Sequence, residues 1–249
     1  MMLNLKQLKN YRMNHSVYTV LNSAYMTFGK IFIQSYFEHN LSKCEYFFIL
    51  DAGLTSDDLI WLSKFKKIHI IQSNINTKFK NGNTSKDWTQ TVVAKTLGLR
   101  EVMNAYDINP IIMIDSDCLV LKDISSLIDM DKDIQICYRP YHNTPMLGSY
   151  VSFNKKCTEF MNDWIDIIPT IQTPWKESPA LSKTYLNYKD KMNIGLIDEH
   201  IVSCYEKSKI TDDVRIVHFK SGAKHKTIEE SIQKRIYERG FKENVKKYV

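Results

Sequence analysis

Two apolar rhythms take turns along the first half of this chain: short continuous runs, and longer stretches in which apolar residues return every three or four positions. Val17-Tyr18-Thr19-Val20-Leu21 is a β-rich run stopped by Asn22-Ser23-Ala24, and Phe28, Ile31, Phe32, Ser35, Tyr36 and His39 then mark one helical face. Tyr46-Phe47-Phe48-Ile49-Leu50 predicts a second strand ending at Asp51. Thr55-Ser56-Asp57-Asp58 offers cap chemistry for a helix carrying Leu59, Leu62 and Phe65, and Ile68-His69-Ile70-Ile71 predicts a third strand. Residues 72–86 are polar and read as a long loop, followed by a helix over 87–106 through Trp88, Val92, Leu99, Val102 and Tyr106. Strands alternating with amphipathic helices predict right-handed βαβ units, hence an α/β chain with a mostly parallel central sheet flanked by helices.

Ile111-Ile112-Met113-Ile114 does not alternate, which predicts a strand buried on both faces in the middle of that sheet. Leu119-Val120-Leu121 resumes extended structure and Asp123 caps a short helical turn. Strands are expected over 134–138 and 149–153, and Asn154 as the cap of a helix containing Phe160, Met161, Trp164 and Ile168. Pro169, Pro174 and Pro179 predict an irregular segment. Asp198 and Glu199 stand just ahead of an apolar helix (Ile201, Val202, Tyr205), and the strand beginning at Val214 ends at His218 with Gly222 and two lysines, Lys220 and Lys224, beside it. Ile228, Ile232 and Ile236 fall at helical spacing near the C-terminus.

Composition acts mainly by exclusion. At 249 residues, 43% hydrophobic and 25% charged, the chain suits one soluble globular domain. The net charge of +6 fits an anionic substrate, an acidic membrane face or nucleic acid. Only six residues are Arg, the best reader of base edges, so no nucleic-acid partner is expected. The five cysteines are scattered and never form C-x-x-C, which speaks against a disulfide framework or a zinc site and fits a reducing compartment. With no sustained apolar leader and no run of spanning length, a cytoplasmic location is expected.

The chemistry gathers where the buried run stops. Ligands of parallel α/β sheets sit outside the carboxyl ends of the strands, so Asp115-Ser116-Asp117 faces a ligand crevice. Two carboxylates one residue apart suit one hard cation, Mg²⁺ or Mn²⁺, and a diphosphate is the natural guest of such an ion. An EF-hand loop is excluded, because Leu119 and Val120 occupy its oxygen-donor and glycine positions. A strand-end imidazole such as His218 is a competent Mn²⁺ ligand, and nearby lysines suit phosphate charge.

From about residue 15 to about residue 225 the chain resembles glycosyltransferases of the GT-A fold, specifically the family 8 type that includes glycogenin and lipopolysaccharide galactosyltransferases. The likeness rests on the strand bearing Asp115-Ser116-Asp117 and on His218-Phe219-Lys220-Ser221-Gly222-Ala223-Lys224. It implies a single GT-A, Rossmann-like nucleotide-diphospho-sugar transferase domain over 1–249. Its nucleotide-binding half would span about 15–123, its acceptor and metal-completing half about 124–225, and its C-terminal helix about 227–240. By this resemblance Asp115, Asp117 and His218 hold Mn²⁺ (or Mg²⁺), and Ser116 and Gly222 belong to the donor site. Either Lys224 or Lys220 meets the diphosphate, since the family's stretch is one residue tighter between His and Gly. Asn22, Ser23 and Tyr25 match the loop that holds the nucleobase and ribose, with Tyr25 as a stacking partner. Asp51 fits a base or ribose contact, and Lys95 a basic residue near the diphosphate.

The implied reaction moves a sugar from a nucleotide-diphosphate donor, UDP by resemblance, to a carbohydrate or lipid-linked glycan acceptor. In an inverting enzyme Asp198 or Glu199 would deprotonate the acceptor; in a retaining one, which the His218 stretch favours, Asp198 would orient sugar or acceptor. The basic tail ending in Lys246-Lys247 would suit peripheral contact with a membrane. Two other readings stand beside this one. A haloacid-dehalogenase-like phosphatase would use Asp115 as nucleophile and Asp212-Asp213 as its distal acid pair, and a non-catalytic binding protein would keep the fold alone.

Overall fold

The computed structural model describes residues 13–72, 85–106, 108–173, 176–220, 230 and 232–248. The first strand, β1 (His15–Leu21), is followed by a 3₁₀ turn, Ser23–Tyr25, and by α1 (Met26–Asn40). Next come β2 (Cys44–Asp51), α2 (Ser56–Leu62), β3 (Ile68–Gln72), α3 (Ser85–Ala105) and β4 (Ile111–Ile114). Thr55 and Asp58 form a reciprocal capping box at the start of α2, as the spacing predicts, but the helix ends at Leu62 and Phe65 lies in the turn beyond it. Of the polar loop expected over 72–86, residues 73–84 lie outside the described residues.

After β4 the chain makes β5 (Cys118–Val120), β6 (Ile134–Tyr138), β7 (Met146–Phe153), α4 (Thr158–Ile167), α5 (Glu177–Tyr188), β8 (Ile194–Asp198), α6 (Glu199–Val202) and β9 (Ile216–His218). A six-residue π-helical stretch, Gln233–Glu238, and α7 (Lys242–Val245) close the described chain. The segment expected to be irregular contains α5. Pro179 is its third residue, where the missing N–H would have had no intrahelical partner, so this proline does not break it. Asn154 does not cap α4, whose N-cap is Cys157; its amide instead donates to Asp129 O and Gln135 Oε1.

The main sheet has seven strands in the order β3-β2-β1-β4-β7-β6-β8. Only β7 runs against the others, pairing antiparallel with β4 on one side and β6 on the other. The fold class is therefore α/β with a mostly parallel sheet. β4 is in its middle, and all four of its residues are fully buried, as an unbroken apolar run requires. The sheet separates two cores: Trp164, Phe160, Phe153 and Leu99 belong to one, and Phe32, Tyr36, Phe47 and Tyr150 to the other.

Two features of this topology position the site. From β1 the chain steps outward to β2 and β3, then crosses back to place β4 on the other side of β1. The loops after β1 and β4 therefore leave the sheet at a switch point, where α/β sheets open a crevice. Second, β5 leaves the main sheet and pairs antiparallel with β9, setting Cys118 opposite His218. The same ladder has Phe219 N donating to Asp117 O at 2.9 Å, and α1 anchors it where Val120 N donates to Ser35 Oγ at 3.0 Å.

At the opposite end of β1, His15 is buried, with Nδ1 against Met13 O at 3.3 Å and Nε2 against the Tyr36 hydroxyl at 2.9 Å. Burial holds its imidazole at about 4, below the free value of 6.5. Because the folded value is the lower one, the unfolded chain takes up the proton first, and stability falls as pH drops from 6.5 towards 4. Between pH 7 and pH 5 this group should remove about 2 kcal/mol. Urea unfolding should show the His15→Gln variant losing that much less than the native chain over the same interval; equal losses would count against it.

A carboxylate and imidazole centre at the sheet switch point

Asp115 and Asp117 stand at the end of β4, and the β5–β9 ladder carries His218 to them across 101 positions of sequence. His218 Nε2 is 3.1 Å from Asp117 Oδ1 and 3.6 Å from Asp115 Oδ2. Adjacent ligands of a six-coordinate ion with bonds of about 2.1 Å sit about 3 Å apart, so the imidazole nitrogen stands near that spacing from Asp117 Oδ1 and somewhat beyond it from Asp115 Oδ2. His218 is thus brought beside one oxygen of each aspartate, and a set of carboxylate oxygens with an imidazole nitrogen could hold a hard divalent cation. Asp117, Cys118 and His218 also place ligand atoms within 4.8 Å of one another. Burial pushes the Cys118 thiol well up, which disfavours the thiolate a metal would need; Asp115 is not in that cluster, its Oδ2 lying 3.6 Å from His218 Nε2.

His218 is buried, and desolvation takes its imidazole down to about 3, so the ring is neutral. Its Nδ1 is 3.0 Å from Ser203 Oγ, which accepts from Ser149 Oγ at 3.0 Å. With the proton on Nδ1, donated to Ser203, the Nε2 lone pair faces the aspartates, the tautomer a metal ligand needs.

The outer oxygens of both aspartates are occupied by cations of the chain itself. Lys95, buried on α3, sits 2.5 Å from Asp115 Oδ1, 2.8 Å from Glu177 Oε1 and 3.2 Å from Gly148 O. Burial alone would raise the Asp115 carboxyl, but the Lys95 ammonium, by its charge and its hydrogen bond, outweighs it and holds the group below the usual carboxylate range. For Glu177 burial prevails and its carboxyl stands above that range, while the two carboxylates together keep the Lys95 ammonium above its ordinary value against desolvation. Glu177 reaches this position because residue 148 is glycine; a Cβ there would come within 2.6 Å of Glu177 Cδ. On Asp117 the second oxygen is paired with the Arg235 guanidinium, whose Nε also donates to Phe219 O.

The other expected contacts are distributed around this centre. Asn22 Oδ1 accepts from Tyr25 N at 3.0 Å, capping the turn after β1, and Ser23 Oγ accepts from Thr55 N at 3.2 Å while donating to Asp58. Tyr25 lies beside Phe28, with Arg235 5.8 Å from its ring centroid. Asp51 Oδ1 accepts from Gly53 N and Leu54 N, both at 2.8 Å, so that oxygen closes a turn in which Gly53 has φ +111°. Ser116 is half-buried between the two aspartates. Asp198 accepts from His200 N at 2.8 Å and caps α6, and the neighbouring Glu199 pairs with Lys220. Lys220 also lies over the Tyr205 ring, 5.2 Å from its centroid. Gly222 and Lys224 lie outside the described residues. In the basic tail Lys247 and Tyr248 both reach Glu38 at 2.6 Å.

Sequence reading missed Glu177 and Arg235. Glu177 was hidden by the prolines around it. Arg235 carried a faint signal, since it stands three residues after Ile232 and one before Ile236, on the flank of the apolar face.

No family model matches this sequence, and no curated protein does. Among solved structures it is similar to the galactosyltransferase LgtC, determined in complex with donor and acceptor sugar analogues. The identity is 12%, the match covers 94% of this chain and 100% of that one, and the TM-score is 0.58. At that identity the likeness concerns architecture: the chain has the GT-A fold.

Proposed function

We propose that this chain is a cation-assisted glycosyltransferase, one GT-A domain over 1–249, that moves a hexosyl group from a nucleotide-diphosphate donor to a hydroxyl acceptor. The observation that carries the reading is the approach of His218 Nε2 to Asp117 Oδ1 and Asp115 Oδ2, 3.1 and 3.6 Å away, at the switch point of the sheet. These three would hold Mn²⁺ or Mg²⁺, whose contribution is Lewis-acid stabilisation of the departing diphosphate. Lys95 fixes the orientation of Asp115, and Lys220 or Lys224 adds positive charge where the leaving group gathers negative charge. Asn22, Ser23, Tyr25, Asp51 and Ser116 line the donor side, with uridine as the base. Asp198 and Glu199, at the end of β8, face sugar and acceptor, with a retaining outcome in which Asp198 orients rather than deprotonates. A carbohydrate or lipid-linked glycan is the acceptor, and no helix among the described residues is long and apolar enough to cross a membrane.

The phosphatase alternative has less support. Asp212 and Asp213, its distal acid pair, are exposed and engage Lys122 and His200, at 3.7 and 3.8 Å, instead of Asp115. Calorimetric titration with UDP and with GDP, each with and without Mn²⁺, followed by a sugar-nucleotide hydrolysis panel on the same sample, tests the proposal. Mn²⁺-dependent binding of UDP is the expected result. A folded sample that binds neither nucleotide would refute it and favour a non-catalytic role.

A further inference from the structure

Arg235 has no place in the chemistry above, yet it is among the most deeply held charges in the molecule. It is 5% exposed, in the π-helical stretch 233–238, with its guanidinium 4.6 Å from the Phe28 ring centroid. The backbone behind it is fixed: Ile236, Phe241 and Val245 are buried in one cluster with Phe28, Ile31 and Phe219. Its Nε donates to Phe219 O and its Nη2 pairs with Asp117 Oδ2, and the rings of Phe28 and Tyr25 lie beside the guanidinium. A core role alone would be filled at lower cost by an apolar side chain, because burying a guanidinium requires compensation. π-helical turns recur at functional sites, and here the turn delivers a charge to the expected ion centre.

Four carboxylates (Asp115, Asp117, Glu177, Glu199) are paired here with three cations (Lys95, Lys220, Arg235), so these described side chains, when ionised, leave one net negative charge. A divalent ion entering alone would turn this excess positive, whereas an ion entering with a diphosphate would not. Without Arg235 the excess would be two negative charges, which a lone dication matches.

We propose that Arg235 is a positioning residue that couples cation binding to donor binding: it holds Asp117 Oδ2, leaves only Oδ1 to the ion, and keeps affinity for the ion low until a diphosphate is present. The coupling is reciprocal, so Mn²⁺ strengthens UDP binding by the same factor as UDP strengthens Mn²⁺ binding. The inference rests on the donor site proposed above and adds what the C-terminal segment does for it.

The test is Mn²⁺ binding followed by electron paramagnetic resonance, with and without UDP, on the full chain and its Arg235→Gln, Arg235→Met and Arg235→Lys variants. The native chain should bind Mn²⁺ at least about tenfold more tightly with UDP present. Either neutral variant, whichever folds by circular dichroism, should bind Mn²⁺ without UDP at least about tenfold more tightly than the native chain, with a correspondingly smaller response to UDP. Arg235→Lys, which keeps the charge, should stay near native. A folded neutral variant that binds Mn²⁺ no more tightly than the native chain, while native UDP and Mn²⁺ binding persists, overturns the role of Arg235 alone. A native chain that binds no UDP under any condition overturns the donor site and this inference with it.

Discussion

Asp117→Asn should lower Mn²⁺-supported sugar-nucleotide turnover at least about a thousandfold and also make the protein unfold sooner. The two effects come from different oxygens of one side chain. Oδ1 faces His218 Nε2 at 3.1 Å, and an amide there is a poor ligand for a hard cation. Oδ2 is paired with Arg235, a residue that is only 5% exposed. An asparagine can still accept a hydrogen bond from Arg235 but cannot neutralise it, and leaving a buried charge uncompensated costs about 3 kcal/mol or more. For a chain of this size that is a fall in Tm of roughly 6–12 °C. Thermal unfolding monitored beside single-turnover kinetics well below the new midpoint separates the two. Turnover within tenfold of native would remove Asp117 from the ion site, and an unchanged midpoint would show that Arg235 finds its compensation elsewhere.

Lys95→Met should produce the largest loss of stability, about 3–5 kcal/mol near pH 8. The ammonium is the cation between Asp115 and Glu177, at 2.5 and 2.8 Å, and it also donates to Gly148 O. Methionine fills the space but leaves two buried carboxylates facing each other, one of which must take a proton. Glu177 is the natural recipient, since burial already raises its carboxyl above the usual range. A carboxyl whose folded value is raised keeps its proton when the unfolded chain has lost it, so the variant's deficit grows as pH rises through that range and is smallest in mild acid. Adding Glu177→Gln should return part of the loss by removing one of the two charges, and the non-additivity of the pair measures the interaction. Urea midpoints at pH 5 and pH 8 read both effects; a single variant as stable as the native chain at pH 8 would end this account of the triad.

How much of this was legible depended on how local the cause was. β4 could be read because a strand covered on both faces leaves no polar position until it ends, and Asp115 is where it ends. The Thr55–Asp58 box could be read because both partners lie within one turn. β8 escaped notice: it is an edge strand carrying Gly195, with Leu196 42% exposed, so it shows neither a continuous apolar run nor clean alternation. Pro179 looked like a breaker because the start of α5 was not visible from composition. The reversal of β7 was invisible too, since its eight buried residues would suit either direction. Within the site, the aspartates and the strand-end histidine follow from strand logic, whereas Glu177 and Arg235 matter only through tertiary approach. Gly148 admits the first and the ring surface of Phe28 receives the second.

The pairing of β5 with β9 has a consequence for the order in which the molecule is made. β1 to β4 pair among themselves in the first 114 residues, so this half of the sheet can be assembled while the rest is still being synthesised. The proposed ion centre cannot. His218 meets Asp117 only when a ladder closes over a sequence separation of 101 positions, and Arg235 arrives later still. Closing so long a loop is entropically slow, and until it closes two aspartates sit at a crevice without their histidine or their arginine. A nascent chain therefore lacks the completed cluster of Asp117, His218 and Arg235 until residue 235 has left the ribosome.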